Sequence, residues 1–298
     1  MSQWYYPKGS LRQGPWEAVV DESLPGWQYT GMRIADSADS DHFTIPADGK
    51  ERVIYMLSGK ATSVTYTVDG ESSTVTLDGR VSVFHGAVDY LYLPINTEIS
   101  FSTDGRVMVV EAVASVSKPV SLRKAADVPL LLRGAGRSSR QIHDYGGVDH
   151  LDADRMVAVE VVAPAGNWSG VPPHKHDTYI PGVESNLEEV YYFELAPDRS
   201  HAPEGEVDPI AYFRTYSSDE REMDEMMEIR SGDIVLVPYG YHGPAAPMPG
   251  YDLYFTNVMA GPDPDRSWRV TDDPRHVWIR DMWESEEVDP RLPYRAED

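Results

Sequence analysis

The 298-residue sequence contains no cysteine. Disulfide bonds, a thiolate nucleophile and a zinc site with cysteine ligands are therefore excluded. The sequence also lacks any run of about 18 apolar residues, which excludes a membrane-spanning helix. Residues 1–8 have no apolar core of signal-peptide length, and we expect a cytoplasmic protein.

Basic residues are scarce. The chain has 26 Lys and Arg against 49 Asp and Glu, which gives a formal net charge of −23 at pH 7. A surface of this sign repels nucleic-acid phosphates and anionic lipids, so we expect no nucleic acid and no membrane among the partners. If the substrate is an anion, its binding site must contain Arg or Lys.

Helical periodicity is also rare, whereas Val, Thr, Tyr and Ile recur in short alternating runs between turn residues. This pattern predicts a mainly β protein, built as a sandwich or barrel. The Asp69-Gly70 pair predicts a hairpin turn. Strands are expected at 53–57, 61–68, 74–77, 81–84, 90–94, 98–101, 107–112, 157–162, 190–195, 210–216, 234–238 and 251–259.

The two halves of the chain share their turn chemistry. Ser58-Gly59-Lys60 matches Ser231-Gly232-Asp233, which indicates a duplicated β domain. We expect an N-terminal domain over 1–125, a crossing segment over 126–150 with a short strand near Arg140, and a C-terminal domain over 151–298.

The stretch 115–150 is unusual in so acidic a chain because it contains four arginines. They are Arg123, Arg133, Arg137 and Arg140. Two interpretations stay open, a solvated linker and a contribution to an anion-binding site.

Three histidines and a glutamate in the second half form a candidate metal site. His174 and His176 lie two residues apart, so an extended chain points both to the same face. Glu189 opens the next strand with Tyr191 on the same face, whereas Glu188 is expected to point outward. Pro238-x-Gly240 forms a tight turn that brings His242 inward. This donor set suits Zn, Mn, Fe, Co or Ni, although each histidine alone is explained equally well as a surface or core residue.

These residues resemble the two cupin motifs. The first motif is matched by Gly170, His174, His176 and Glu189, and the second by Gly232, Pro238, Gly240 and His242. The stretch before Glu189 is longer than usual, and the second motif has one residue fewer before its histidine. Both departures are typical of one bicupin family, the 5-deoxy-glucuronate isomerases of myo-inositol catabolism. The chain also resembles that family in the runs 187–193, 232–242 and 251–262.

The resemblance implies a bicupin fold, two tandem jelly-roll domains of which only the second binds a divalent metal. It also implies isomerisation of 5-deoxy-glucuronate to 5-dehydro-2-deoxygluconate, by removal of a proton from C2 and addition of one at C1 through a metal-stabilised enediolate. We expect His174, His176, Glu189 and His242 as ligands. Tyr191, Tyr254 or a metal-bound hydroxide is expected to move the proton.

The substrate carboxylate needs a cation, and Arg214 is the first candidate, followed by Lys175 and Arg140. Three other functions stay open. They are the sister bicupin isomerase that acts on 5-keto-4-deoxyuronate from pectin, a metal-dependent cupin oxygenase, and a non-catalytic sugar-binding or storage cupin. A homo-oligomer is compatible with the fold, because cupins often pair through sheet edges.

Overall fold

A computed structural model of the chain describes residues 4–201, 203–218 and 221–295. The described part consists mainly of antiparallel β-strands, as predicted. The strands up to residue 123 are β1 (Tyr5–Tyr6), β2 (Trp16–Val20), β3 (Thr30–Asp36), β4 (His42–Ile45), β5 (Lys50–Ser58), β6 (Ala61–Val68), β7 (Glu71–Asp78), β8 (Tyr90–Leu93), β9 (Glu98–Thr103), β10 (Arg106–Val113) and β11 (Ser121–Arg123).

The second half follows with more strands and little helix. The strands are β12 (Leu130–Arg133), β13 (Arg140–Asp144), β14 (Val157–Ala163), β15 (His174–Lys175), β16 (Asp177–Ile180), β17 (Glu184–Asn186), β18 (Glu188–Pro197), β19 (Ala211–Ser218), β20 (Arg221–Ile229), β21 (Ile234–Val237), β22 (Tyr241–Pro247), β23 (Tyr251–Ala260) and β24 (Thr271–Asp272). One α-helical turn, α1, covers Ile279–Met282, and 3-10 turns cover Ala125–Asp127, Gly136–Ser138 and Trp283–Ser285. Within the described ranges, no helix has the length and apolar character needed to cross a membrane.

Each half packs a larger sheet against a smaller one. In the first half the strand orders are β11-β8-β5-β10-β3-β2 and β4-β9-β6-β7. In the second half they are β1-β21-β18-β23-β14-β13-β12 and β20-β19-β22-β15-β24, with β16 and β17 forming a separate hairpin. These two-sheet units are the expected tandem jelly rolls.

The halves do not separate cleanly along the chain. β1 pairs with β21, so the start of the chain adds a strand to the second half's sheet. β12 and β13 lie in the expected crossing segment, and β13 pairs with β14 of the same sheet. A continuous hydrophobic core joins the two large sheets back to back. The larger sheet of the second half therefore has one face packed against the first half and the other face turned to its own barrel interior.

Local predictions succeed where alternation and turn chemistry agree. Asp69 and Gly70 have φ values of 52° and 83°, and they close the hairpin between β6 and β7 as expected. The predicted strand at 81–84 is wrong. This segment turns at Ser82, whose carbonyl accepts a hydrogen bond from His85 N–H at 3.0 Å. The buried Arg80 side chain donates to the Gly86 carbonyl at 2.8 Å and fixes this loop against the core.

The barrel of the first half is filled by side chains. Trp16, Phe43 and Phe101 pack with ring centroids 4.9–6.1 Å apart inside it. Arg52, near the start of β5, is fully buried and forms ion pairs with Glu111 and Asp48, each at 2.6 Å. Among the described residues, the one histidine cluster suited to a metal lies in the second half.

Candidate metal centre and adjoining cavity

His174, His176 and His242 meet inside the second barrel. β15 lies between β22 and β24, and His174 is directly opposite His242 in the strand register. The ring centroids of His174 and His176 lie 4.5 and 4.8 Å from that of His242. One nitrogen from each ring lies within 4.8 Å of the other two. The structure therefore brings together all three histidines expected from the sequence.

Glu189 completes this group from a different sheet. Its Oε2 atom lies 3.0 Å from Nε2 of His176 and 3.0 Å from Nε2 of His242. Alternation along β18 points Glu189 and Tyr191 into the barrel, as expected. Glu188 points to the opposite face, but the expectation that it would face outward is wrong, because it is buried against the first half.

The hydrogen bonds of the imidazoles leave ligand atoms available. His176 Nδ1 contacts the Leu187 carbonyl at 3.0 Å, so that its Nε2 atom faces Glu189. Carbonyl contacts of this kind orient ligating histidines in metal proteins. Nδ1 of His242 is buried without a hydrogen-bond partner among the described residues, and Nε2 has only the 3.0 Å contact with Glu189 Oε2, which lacks hydrogen-bond geometry. A buried ring nitrogen without a hydrogen-bond partner costs free energy unless a ligand satisfies it.

The pKa shifts of His174 and Glu189 also fit a cation. Burial and the two neighbouring imidazoles lower the pKa of His174 well below its ordinary value. Burial alone would raise the pKa of Glu189, but the His242 and His176 imidazoles hold it well below its ordinary value. Neutral imidazoles and an ionised carboxylate are the forms that bind metals. The residues present therefore fit a divalent cation.

Tyr191 and Asn257 lie beside Glu189. The Asn257 side-chain amide donates to Glu189 Oε1, a contact that sequence reasoning missed because Asn257 comes from β23, far along the chain. The Tyr191 ring lies 6.1 Å from the His242 ring. Burial and the nearby Glu189 carboxylate raise the pKa of Tyr191 well above its ordinary value. The phenol therefore keeps its proton at neutral pH.

Tyr254, the other tyrosine expected to move a proton, lies elsewhere. It belongs to the core between the two halves, on the face of β23 opposite Asn257. Its hydroxyl donates to Glu160 at 2.8 Å, and Arg80 pairs with the same carboxylate through two contacts at 2.7 and 2.8 Å. Because this hydroxyl is committed to the interface, we do not include Tyr254 in the proposed site.

A cavity of about 340 Å³ adjoins the histidine cluster at His174. His174 and Arg140 both line it. Two further arginines, Arg133 and Arg280, were not singled out as site residues from the sequence and line it as well. The unusual number of arginines in 115–150 could have indicated a role for Arg133. No sequence pattern indicated one for Arg280, which lies in α1. The cavity thus receives the His174 imidazole from the smaller sheet and the Arg133 and Arg140 guanidinium groups from the larger sheet.

The other two expected carboxylate-binding residues do not reach this cavity. Arg214 projects from the outer face of β19, where it lies 4.8 Å over the Tyr216 ring and lines a separate cavity of about 290 Å³. Lys175 Nζ donates to Asp177 and to Glu184, both at 2.7 Å. We therefore propose neither residue as a partner of the substrate carboxylate.

The sequence matches the model of the KduI/IolB family over residues 4–279. The chain belongs to the KduI/IolB family. Curated relatives are consistent with this membership. A 5-deoxy-glucuronate isomerase from Geobacillus thermodenitrificans is 36% identical over 264 residues, which cover 88% of this chain and 89% of the relative. The enzyme of the same name from Bacillus subtilis strain 168 is 34% identical over 254 residues, with 84% and 88% coverage.

Solved structures agree with the fold. An IolB-like protein from Salmonella typhimurium LT2 superposes with a TM-score of 0.80 at 33% identity, covering 93% of this chain and 98% of that one. Bacillus subtilis oxalate decarboxylase, a protein with Mn(II) centers, superposes with a TM-score of 0.55 at 11% identity, with 91% and 80% coverage. This second likeness concerns the fold alone.

Proposed function

We propose that this chain is an aldose–ketose isomerase that converts 5-deoxy-glucuronate to 5-dehydro-2-deoxygluconate with a divalent metal in its second barrel. The observation that carries the proposal is the cluster of His174, His176, His242 and Glu189, whose member His174 lines a cavity that also contains arginine. Relatives of the same family named 5-deoxy-glucuronate isomerase, each matched over most of its length, support the substrate.

The four clustered residues are the proposed metal ligands. A divalent cation held by them, whether Zn, Mn, Fe, Co or Ni, would supply Lewis-acid stabilisation for the negative charge that develops on the substrate oxygens. Asn257 holds the Glu189 carboxylate from behind. The Leu187 carbonyl holds His176 in one tautomer. These contacts keep the donor atoms pointed at a common centre.

Tyr191 is the proposed proton-carrying group. Its phenol is buried, protonated and adjacent to Glu189, so it can give a proton to the substrate but does not start as a base. Aromatic neighbours surround it, with the Phe213 ring centroid at 4.8 Å and the Phe255 ring centroid at 5.5 Å. These rings keep water from the inner side of the site, which protects a charged intermediate from unwanted protonation.

Arg140 is the proposed partner of the substrate carboxylate, since it lines the cavity that His174 borders. A sugar-acid small molecule is then the substrate class. We keep a cytoplasmic location and a homo-oligomeric assembly as predictions of this proposal.

The test is an isomerase assay combined with metal analysis. Purified protein loaded in turn with each candidate metal is incubated with 5-deoxy-glucuronate, and formation of the ketose is followed by NMR. The double variant His174→Ala/His176→Ala is expected to lose bound metal and activity together, whereas His42→Ala, an exposed histidine of the first half, keeps both. Full activity of metal-stripped protein would contradict the proposal.

The same assay separates the remaining alternatives. A higher kcat/KM for 5-keto-4-deoxyuronate than for 5-deoxy-glucuronate would assign the chain to the sister isomerase reaction. Stoichiometric consumption of dioxygen would indicate an oxygenase. Binding of sugar acids without turnover of either substrate would indicate a binding protein.

A further inference from the structure

Two arginines stand directly opposite each other beside the proposed metal centre. Arg133 on β12 and Arg140 on β13 are partners in the antiparallel register. Directly opposed side chains lie on the same face of a sheet, and like charges in that position destabilise the strand pair. Both side chains line the cavity that His174 borders. The fold thus concentrates positive charge in a chain of net charge −23.

No protein carboxylate neutralises this pair. Within residues 4–201, 203–218 and 221–295, neither Arg133 nor Arg140 forms an ion pair. Arg140 donates to the Ser138 carbonyl at 3.1 Å, and its guanidinium lies 5.8 Å from the Trp283 ring centroid. The two buried arginines of the described residues, Arg52 and Arg80, are paired with Glu111 at 2.6 Å and with Glu160 at 2.7 Å. Arg140, which is half-buried beside a second arginine, has no such acid partner.

One carboxylate does line the cavity, and it is already engaged. Asp144 Oδ2 lies 2.7 Å from His150 Nδ1, and Asp144 Oδ1 accepts a hydrogen bond from Gly147 N–H. Asp144 follows Arg140 by four residues on β13, so it lies further along the strand. Its carboxylate is engaged by the loop 145–150 and forms no ion pair with Arg133 or Arg140.

A third arginine approaches from the C-terminal segment. Arg280 forms two hydrogen bonds to the Asp272 carboxylate, at 2.5 and 2.8 Å, and lies 5.2 Å from the Trp283 ring centroid. Burial and the positive charges of Arg280 and Arg133 lower the pKa of Arg140 to about 10. Without an anion, this arrangement opposes folding. With an anion, the same charges contribute to binding.

We propose that Arg133 and Arg140 form a two-pronged carboxylate site, with Arg280 as a third cation fixed by Asp272, and that this site selects sugar acids over neutral sugars. The inference rests on the proposed function and extends it to the substrate's charged end. A uronate carries its aldehyde and its carboxylate at opposite ends of the carbon chain. The cavity likewise takes His174 from the smaller sheet and the arginine pair from the larger sheet, so both ends of one molecule have a complementary surface.

The experiment compares two probes that differ at C6. Metal-loaded protein is titrated with D-glucuronate and with D-glucose by calorimetry, and KM and kcat for 5-deoxy-glucuronate are measured in parallel. We expect Arg133→Ala and Arg140→Ala each to weaken glucuronate binding by about 10- to 100-fold, the range for a hydrogen bond to a charged group. Glucose binding is expected to stay unchanged. KM should rise more than kcat falls, because the contact lies away from the reacting carbons.

Two variants serve as matched controls. Arg137→Ala removes an exposed arginine from the same segment, and Arg214→Ala removes one that lines the separate cavity. Both are expected to leave glucuronate binding within about twofold of the unaltered protein. Arg140→Lys is expected to recover only part of the affinity, since an ammonium group cannot bind a carboxylate bidentately.

The outcomes separate this inference from the proposed function. If the unaltered protein isomerises 5-deoxy-glucuronate but Arg133→Ala and Arg140→Ala keep its KM and glucuronate affinity, the carboxylate site is wrong and the isomerase stands. If glucuronate binds no tighter than glucose to the unaltered protein, the selection for acids is wrong. If glucuronate binding depends on both arginines and no isomerisation occurs, the carboxylate site stands and the isomerase proposal fails. Arg133 is exposed, so its variant is informative even if Arg140→Ala does not fold.

Discussion

Glu51 and Glu188 hold the two halves of the chain together in a reciprocal way. Glu51, in β5 of the first half, accepts hydrogen bonds from the backbone N–H groups of 154–156 at 2.6–2.8 Å. Glu188, in β18 of the second half, accepts them from the N–H groups of 28–30 at 2.6–3.1 Å. Each carboxylate is buried. The duplicated halves thus use the same residue type to fix the adjacent loop of the other half.

Replacing one of these carboxylates is expected to destabilise the protein. Glu51→Gln keeps the shape of the side chain but exchanges a charged acceptor for a neutral one and buries an extra N–H group. We expect the free energy of unfolding to fall by about 1–3 kcal/mol, the typical cost of an unsatisfied buried group. Chemical denaturation measures it. Glu98→Gln, an exposed glutamate on β9, is the control and should change little. Equal stability of the two variants would contradict this assignment.

The dependence of stability on pH is expected to include a contribution from Asp252. Burial raises its pKa from 3.8 to about 6, although Ala165 N–H and the Tyr294 hydroxyl donate to Oδ1 at 2.8 and 3.1 Å. The folded state binds the proton more tightly than the unfolded state, so this group costs stability as pH rises from about 4 to about 6.

Asp252→Asn should therefore stabilise the protein above pH 6 by about 1–3 kcal/mol and flatten the pH profile between pH 4 and pH 6. The measurement is the melting temperature across that range, taken as the difference from the unaltered protein. Asp41→Asn, at an exposed aspartate, provides the comparison. A variant that is less stable at pH 7.5 would show that the ionised carboxylate is favourable there.

Bound metal is expected to stabilise the folded protein. A ligand at about 100 times its Kd adds about 2.7 kcal/mol to the free energy of unfolding, because it binds the folded state alone. Chelator treatment should lower the melting temperature of the unaltered protein and leave that of His242→Ala unchanged. Titration of stripped protein with each candidate metal then identifies the cation. A chelator effect that persists in His242→Ala would place the metal elsewhere.

The two tyrosines are expected to differ in what they affect. Tyr191→Phe should lower kcat by about 10²- to 10⁴-fold, the usual range for a group that transfers a proton, with metal content unchanged. Tyr254→Phe removes a hydroxyl that donates to the buried Glu160 carboxylate. It should cost about 1–2 kcal/mol of stability and leave kcat nearly unchanged. Steady-state kinetics and thermal denaturation of both variants check this. A kcat that falls for Tyr254→Phe alone would reverse the assignment.

Much of the fold was predictable because strands and turns are local. Alternating Val, Tyr and Thr define β5 and β6, and Asp69-Gly70 adopts the two positive φ values that its hairpin needs. The segment 81–84 also alternates apolar and polar residues, but it forms a turn. The neighbouring Arg80 is held by Glu160 across the interface between the two halves, and no local pattern predicts that contact. Long-range pairing decides such cases, as it does for β1, which joins a sheet more than 200 residues away.

The candidate site was likewise predictable only in part. Spacing and turn chemistry placed His174, His176, Glu189 and His242 together, and the structure brings them within contact of one another. The arginines are different. Arg214 points to the outer face of its sheet, and Lys175 donates hydrogen bonds to two carboxylates. The sequence indicated neither of these facts.

The sequence by itself therefore determined the class of fold, the residues of the proposed metal site and the family, because those depend on residue types at short, fixed spacings. The tertiary structure decided which side of each strand faces the cavity, which charges are already paired, and that Arg133 and Arg140 oppose each other without a carboxylate between them. These facts depend on which strands become neighbours. That choice follows from burial of apolar surface over the whole chain, which no local stretch of residues specifies.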